Sequence, residues 1–100
     1  MFVDQKDQRR KKLEHLIHQE IAQVLYHILC SEHSKEDLRV TVMEVHSSKD
    51  LRKADVFLST SSPEAFNMIR QKSAKIRFIL AKRVSLRRMP EINFLPWAEG

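Results

Sequence analysis

The stretch that decides the fold is "LRVTVMEVHSSKDLRKADVFLST", residues 38–60. "LRVTVMEV" (38–45) is rich in β-branched residues and alternates apolar residues on one face up to Val42, which predicts a strand. "HSSKDLRK" is a polar turn, and "ADVFLST" predicts a second strand that forms an antiparallel hairpin with the first. The apolar phase shifts at Met43 and Val45, so either both faces of the first strand are partly buried or a bulge interrupts it.

A long helix precedes this hairpin, and a shorter helix follows it. From Arg9, apolar residues recur at helical spacing as far as Leu29 and form one stripe about five turns long. After the second strand, Ser62 supplies an N-cap hydroxyl and Pro63 occupies the first helical position. We therefore expect a second helix that runs to about Lys72.

The remainder of the chain predicts a third helix and a third strand. Helical spacing continues beyond Lys72 but rotates, so we expect a kink or break near Ser73 and Ala74, and a helix end before Met89. "EINFLP" then predicts a short strand with Ile92 and Phe94 on one face. The order α-β-β-α-α-β describes one α+β domain spanning residues 1–100, with a three-stranded sheet packed on helices. We expect residues 1–8 to be flexible and residues 97–100 to fray.

Length and composition limit the class of protein. The 100 residues are 42% hydrophobic, which is enough for one core and one domain. A single cysteine excludes an internal disulfide framework and fits a reducing compartment, so we expect a cytoplasmic protein. The N-terminal residues have no apolar signal region, and no apolar run approaches the ~18 residues that would cross a bilayer.

The basic charge is segregated along the chain. Residues 1–12 hold five Lys or Arg against two acids, residues 13–64 hold five against nine, and residues 65–90 hold eight and no acid. Basic charge separated in this way is typical of a protein that meets a polyanion, because each neutralised phosphate releases counterions. A solvated basic face without a partner is the plainer alternative, and an acidic protein or lipid surface is another.

Several kinds of chemistry find no support in the sequence. The only glycine is Gly100, which excludes a P-loop, a dinucleotide fingerprint and a GxxG clamp. His15 and His18 share a helix face and could form a weak metal site, but they lie opposite the apolar stripe and are better interpreted as solvated residues. Cys30 has no partner placed to activate it. We therefore expect no catalytic residue, no metal and no cofactor, and hence no enzyme.

The segment "SAKIRFILAKRVSLRRMP" (73–90) combines a core face with a basic face. On a helical wheel, Ile76, Ile79, Leu80 and Val84 share one arc. Lys75 and Lys82 lie together outside it, with Arg77 on the other flank. Arg83 falls inside the apolar arc, where its aliphatic stem could snorkel to reach water.

Four stretches together resemble the ribosome-binding factor A family over residues 9–96: "RRKKLEHLIHQEIAQVL", "VTVMEV", "KDLRKADVFLS" and "IRFILAKRVSLRRMPEINF". The most specific elements are an Asp-Leu-x-x-Ala-x-Val core and a Leu-Arg-x-x-Pro-x-Ile ending, formed by Asp50, Leu51, Ala54 and Val56 and by Leu86, Arg87, Pro90 and Ile92. The resemblance implies a type II KH-like fold in which a kink between two helices replaces the GxxG loop. The kink maps onto residues 72–74, where Ala74 stands in the family's glycine position, so a gentler kink is expected.

The resemblance further implies a non-enzymatic assembly factor, monomeric when free, that binds rRNA of the immature small (30S) ribosomal subunit during late 16S rRNA maturation. With few aromatics to stack bases, it should recognise RNA shape and backbone. We expect the RNA-binding residues to be Lys72, Lys75, Arg77, Lys82, Arg83, Arg87 and Arg88, with further contacts from Arg9, Arg10, Lys11, Lys12, Lys49, Arg52 and Lys53. The alternatives are a small basic module that docks an acidic protein partner and a minimal enzyme that uses His15, His18 or Cys30.

Overall fold

The computed structural model describes residues 5–32, 39–86 and 88–98. In chain order the elements are α1 (Gln5–Glu32), β1 (Val40–Ser47), β2 (Lys53–Thr60), α2 (Pro63–Gln71), α3 (Ser73–Arg83) and β3 (Glu91–Pro96). The predicted α+β class and the predicted element order are therefore confirmed. The expected flexibility of residues 1–8 and fraying of residues 97–100 stay predictions, and residues 1–4, 99 and 100 lie outside the described part.

Helix α1 is longer than its apolar stripe predicted. It starts at Gln5 instead of Arg9 and runs to Glu32, for 28 residues. The "RRKK" run consequently falls in the second turn of the helix. Buried side chains follow the predicted stripe and pack against β1 and α3: Leu13, Ile17, Ile21, Val24, Leu25, Ile28 and Leu29.

The sheet has the order β1-β2-β3, so that β2 is its central strand. β1 and β2 are antiparallel, as predicted, and β3 lies parallel to β2 on the other side. The register of β1 against β2 shifts between Val42 and Glu44. The bulge therefore accounts for the shifted apolar phase: Met43 is the extra residue and is exposed, while Val42 and Val45 are both buried.

The turn between β1 and β2 depends on local polar contacts. Ser48 N–H donates to the Lys53 carbonyl at 2.8 Å, and Leu51 N–H donates to the Ser48 carbonyl at 3.0 Å. Leu51 has a φ of 61°, a left-handed conformation that costs a residue other than glycine about 1–2 kcal/mol. Its half-buried side chain packs against the core, which offsets this cost.

Helix α2 begins as the sequence predicts. The Ser62 hydroxyl accepts a hydrogen bond from Ala65 N–H at 3.2 Å, and Pro63 occupies the first helical position. Ala65, Met68 and Ile69 form its buried side. Because α2 packs against both β2 and β3, it holds the start of α3 beside the β3 edge of the sheet.

One core joins the three helices to one face of the sheet. The strands contribute Val42, Val45, Ala54, Val56, Leu58, Ile92 and Phe94. On the opposite face, the Phe57 ring makes edge contacts with His46 and with Trp97, at centroid separations of 5.6 and 6.2 Å. No helix in the described ranges is both long enough and apolar enough to span a membrane.

Candidate nucleic-acid interface

Helices α2 and α3 meet at Lys72, one residue before the predicted kink. Lys72 has φ −97° and ψ 12°, its N–H donates to the carbonyls of Met68 and Ile69, and its carbonyl accepts from Ile76 N–H at 2.9 Å. The chain therefore leaves one helix and enters the next without a left-handed residue. Ser73 and Ala74 form the first turn of α3, so this junction can form without a glycine.

A polar cavity of about 390 Å³ lies at this junction, between the helices and the β3 edge of the sheet. Arg70 and Arg77 contribute guanidinium groups to its lining, and Ser73 contributes a hydroxyl. On the sheet side, the Asn93 amide donates to Oδ1 of Asp55 at 3.5 Å. The cavity thus combines two guanidinium groups, a helix start and a strand edge, all of which can contact a nucleic-acid backbone. The Asp55 carboxylate, which accepts from Asn93, is the one acid among its described lining residues.

The outward face of α3 is basic, as the helical wheel predicted. Ile76 and Leu80 are fully buried, whereas Lys75, Arg77 and Lys82 are exposed. Arg77 lines the polar cavity, whereas Lys75 and Lys82 lie on the other flank of the exposed side of α3. We name this surface the α3 basic face, formed by Arg70, Lys72, Lys75, Arg77 and Lys82.

An aromatic ring that sequence reasoning missed lies on the same helix. Phe78 is 61% exposed, and Nζ of Lys82 lies 4.4 Å from the centroid of its ring. This cation–π contact covers one face of the ring. The signal was present in the sequence, because Phe78 is two residues from both Ile76 and Leu80 and so lies opposite the buried arc of the helix.

Arg83 is engaged within the protein. Its Nε donates to Oε2 of Glu20 at 2.6 Å, and its Nη2 donates to Oε1 of Gln23. Arg83 therefore ties the end of α3 to the middle of α1. Its predicted role in RNA binding is the least favoured among the bases of α3, since a phosphate would have to compete with Glu20.

The remaining predicted bases lie apart from the polar cavity. Arg9, Lys11 and Lys12 are exposed on α1, and Arg10 is half-buried. Lys49, Arg52 and Lys53 are exposed at the hairpin turn, and Arg88 is exposed before β3. Four of these bases, Arg9, Lys12, Arg52 and Arg88, surround a second cavity beyond the C-terminal end of α3. Arg87 lies outside the described residues.

Asp50, at the hairpin turn, is an acid among these bases. Its Oδ1 accepts from the Ser48 hydroxyl at 2.6 Å and from Arg52 N–H at 3.1 Å, and Arg52 Nε lies 3.9 Å from Oδ2. The Ser48 hydrogen bond, aided by the Arg52 N–H, lowers the pKa of Asp50 below its ordinary value. At neutral pH Asp50 is therefore ionised, and its carboxylate accepts hydrogen bonds within the turn.

The alternative metal chemistry gains no geometric support from the residues that the structure describes. His15 is exposed and His18 half-buried on α1, and no three His, Cys, Asp or Glu side chains in the described part of the chain form a group that could hold a metal. Cys30 lies in the last part of α1, and its side chain is outside the described part.

The fold and this surface define a small α+β domain of the KH-like class with one basic helical face. The family model for ribosome-binding factor A matches residues 9–96. The chain belongs to the ribosome-binding factor A family.

Solved structures with the same fold include proteins described as ribosome-binding factor A. The crystal structure of ribosome-binding factor A from Thermus thermophilus matches with a TM-score of 0.72 and 26% identity, over 88% of this chain and 96% of that one. A Thermotoga maritima protein, described as a putative ribosome-binding factor A and solved by NMR, matches with a TM-score of 0.68 and 32% identity, over 87% of this chain and 85% of that one.

A further Thermus thermophilus match is a homology model fitted into the cryo-EM map of a 30S–RbfA complex. It has a TM-score of 0.70 and 28% identity, over 85% of this chain and 91% of that one. No curated protein matches this chain at a significant level of sequence similarity.

Proposed function

We propose that this chain is a non-enzymatic assembly factor that binds rRNA of the immature small ribosomal subunit and assists late maturation of 16S rRNA in the cytoplasm. Family membership supports this proposal, as does the relative that was fitted into a 30S complex. The α3 basic face is the surface that would contact the RNA.

The observation that carries the proposal is the division of α3 into two faces. Ile76 and Leu80 anchor the helix in the core, while Lys75, Arg77 and Lys82 are exposed on it. No acid occurs in residues 65–90, so no carboxylate from this segment repels a phosphate. Solubility alone would not require acids to be absent from so long a segment. A polyanion partner explains both the bases and the missing acids.

Phe78 adds a contact that the sequence alone did not predict. An aromatic ring exposed between lysines can stack on an unpaired base while the ammonium groups bind the flanking phosphates. Lys82 covers one face of the ring, so a base would stack on the other face or displace the lysine. Recognition would then combine backbone contacts with one stacked base, and would tolerate different bases at that position.

The bases of α1 and of the hairpin turn, together with Arg88 before β3, have a secondary role in this proposal. Arg9, Arg10, Lys11, Lys12, Lys49, Arg52, Lys53 and Arg88 would raise the attraction between protein and RNA at long range. Most of them are exposed, and salt would screen their effect beyond about 8–10 Å. Reversing the charge of one of these secondary residues should therefore weaken RNA binding less than reversing the charge of a residue of the α3 basic face.

The test is crosslinking to RNA in cells, with sequencing of the bound fragments, combined with co-sedimentation on immature small subunits. We expect fragments of 16S rRNA and co-sedimentation that is lost when Lys75, Arg77 and Lys82 are replaced by Glu. Association that survives nuclease treatment of the particles, with no rRNA fragment enriched, would overturn the proposal.

A further inference from the structure

A second cavity, of about 440 Å³, lies beyond the C-terminal end of α3, whereas the polar cavity lies at its N-terminal end. Four leucines from three parts of the chain supply its apolar lining. Leu13 and Leu16 belong to α1, Leu51 to the hairpin turn, and Leu86 to the segment that follows α3. We name it the leucine cavity. Its volume lies within the range of sites that bind small ligands or anchoring side chains.

The rim of the leucine cavity is cationic. Arg9, Lys12, Arg52 and Arg88 are all exposed and line it. Of the lining residues that the structure describes, Asp50 is the one acid, and its Oδ1 is already occupied by the Ser48 hydroxyl and the Arg52 N–H. An occupant of the cavity therefore meets an apolar floor surrounded by positive charge.

We propose that the leucine cavity is a docking site for an acidic amphipathic helix of a protein partner. Apolar side chains at helical spacing would enter the cavity, and carboxylates on either side of them would pair with the rim bases. At Arg52 they would compete with Asp50, whose Oδ2 lies 3.9 Å from Arg52 Nε. In water, an acidic amphipathic helix presents an apolar stripe with acidic residues on either side of it, which matches the apolar floor and cationic rim of the cavity. Charge complementarity at the rim would orient the helix, while burial of its apolar anchors would supply most of the affinity.

The lining favours an apolar side chain over a nucleobase. A base that enters a pocket needs hydrogen-bond partners for its polar edge, and it stacks best on an aromatic ring. The leucine cavity is lined by leucines and charged side chains, without an aromatic ring or a neutral polar side chain among the described lining residues. Phe78, Ser73 and Asn93 all lie on the α3 basic face or the polar cavity instead. The proposal therefore requires no RNA in the leucine cavity, although its four rim bases also belong to the secondary set that attracts RNA at long range.

The test uses a synthetic helical peptide with Leu at every third or fourth position and Glu at most others, labelled for fluorescence anisotropy. Its control has the same composition in an order that forms no apolar face. At an ionic strength near ~0.15 M we expect saturable binding of the first peptide only. We also expect chemical-shift changes in the methyl groups of Leu13, Leu16, Leu51 and Leu86.

Two variants of equal charge locate the site. Arg52→Glu with Arg88→Glu should weaken peptide binding by about tenfold or more, because both rim contacts become repulsive. Arg70→Glu with Arg77→Glu makes the same change of net charge at the polar cavity, and should alter peptide binding by less than about twofold while it weakens RNA binding. All four side chains are exposed, and circular dichroism checks that both variants fold.

Four results would each overturn the proposal. The first is the absence of peptide binding, and the second is equal binding of the control peptide, which would mean charge attraction alone. The third is an equal loss of peptide affinity in the two double variants. The fourth is a shift of the four leucine methyl signals by a single-stranded RNA oligonucleotide and not by the peptide, which would assign the cavity to a nucleotide.

Discussion

Nε of Arg83, at the end of α3, lies 2.6 Å from Oε2 of Glu20, in the middle of α1. The pair is partly shielded, and Arg83 also donates to the amide oxygen of Gln23. It fixes the packing of the helix that carries the α3 basic face. This contact explains why a base lies within the apolar arc of the wheel: its charge reaches past the core to an acid on the neighbouring helix.

Replacing Glu20 by Gln should lower the free energy of unfolding by about 0.5–1 kcal/mol, since the ion pair is lost while the residue keeps its size. The measurement is urea denaturation at low salt. Glu91→Gln, which removes an exposed acid at the start of β3, is the matched control and should change stability less. Equal stability of the two variants would show that the Arg83–Glu20 pair contributes nothing.

Replacing Lys75, Arg77 and Lys82 together by Ala should weaken binding to single-stranded rRNA fragments and make it less sensitive to salt. Each lost phosphate contact lowers the slope of log K against log salt by about 0.7, so the slope should fall by about 2. Titrations between about 50 and 200 mM salt measure it. Lys11, Lys49 and Lys53 replaced together by Ala form the matched control, and a slope change as large as that of the first variant would contradict the assignment of the α3 basic face.

Phe78→Ala should weaken RNA binding by about tenfold, because one stacked base is worth about 1–3 kcal/mol. Phe78→Trp should retain or improve binding, since the larger ring still stacks, whereas Phe78→Leu should behave like Ala. The side chain is largely exposed, so none of these changes should lower thermal stability by much. If the Phe78→Leu variant binds RNA as tightly as the Phe78→Trp variant, Phe78 acts by apolar contact and not by stacking.

Ala74→Gly should lower the free energy of unfolding by about 0.5–1 kcal/mol, because Ala74 is helical here and glycine loses more backbone entropy. Thermal or urea unfolding measures the change. The result is informative because the resemblance to the family placed a glycine at this position. A stabilising effect would mean that the junction favours a left-handed residue at Ala74, contrary to the helical start of α3.

Asp50 should titrate below the ordinary range of an aspartate, and Ser48→Ala should raise its pKa by removing the strongest hydrogen bond. Since the folded pKa lies below the unfolded one, the stabilising contribution of Asp50 is complete above the unfolded pKa, near ~3.9. It is lost as the pH falls through the folded pKa. NMR titration of the carboxyl carbon gives the pKa directly.

Stability measured against pH gives an independent check on Asp50. The wild-type protein should exceed Asp50→Asn in stability at pH 7, and the two should converge as the pH falls below about 4. A constant difference between them across this range would show that the carboxylate charge has no role in the turn.

Local patterns were sufficient to predict most of the fold. The hairpin, the Ser62 cap and the third strand follow from residues close together in sequence, where periodicity and turn chemistry decide the structure. The position of β3 beside β2, and its parallel direction, could not be predicted in this way. Both depend on how α2 and α3 carry the chain back along the sheet. The start of α1 also differs from the prediction, since its polar first turn carries no apolar periodicity.

The candidate site was likewise predictable only where its residues lie close together in sequence. The basic and buried faces of α3 could be inferred from helical spacing, because Lys75 and Ile76 lie on one element. The Arg83–Glu20 pair and the leucine cavity join residues far apart in sequence, and only the packing of α3 and its following segment against α1 brings them together.

The bulge at Met43 has a consequence for the exposed edge of the sheet. Among the described strands, β1 lies at one edge of the sheet, and a long regular edge invites pairing with another chain. Bulges generally bend a strand and increase its twist, which disturbs the flat row of backbone groups that a second copy would need. A bulge at Met43 therefore disfavours regular pairing of this edge with a second copy, although the Met43 side chain contributes little to the core.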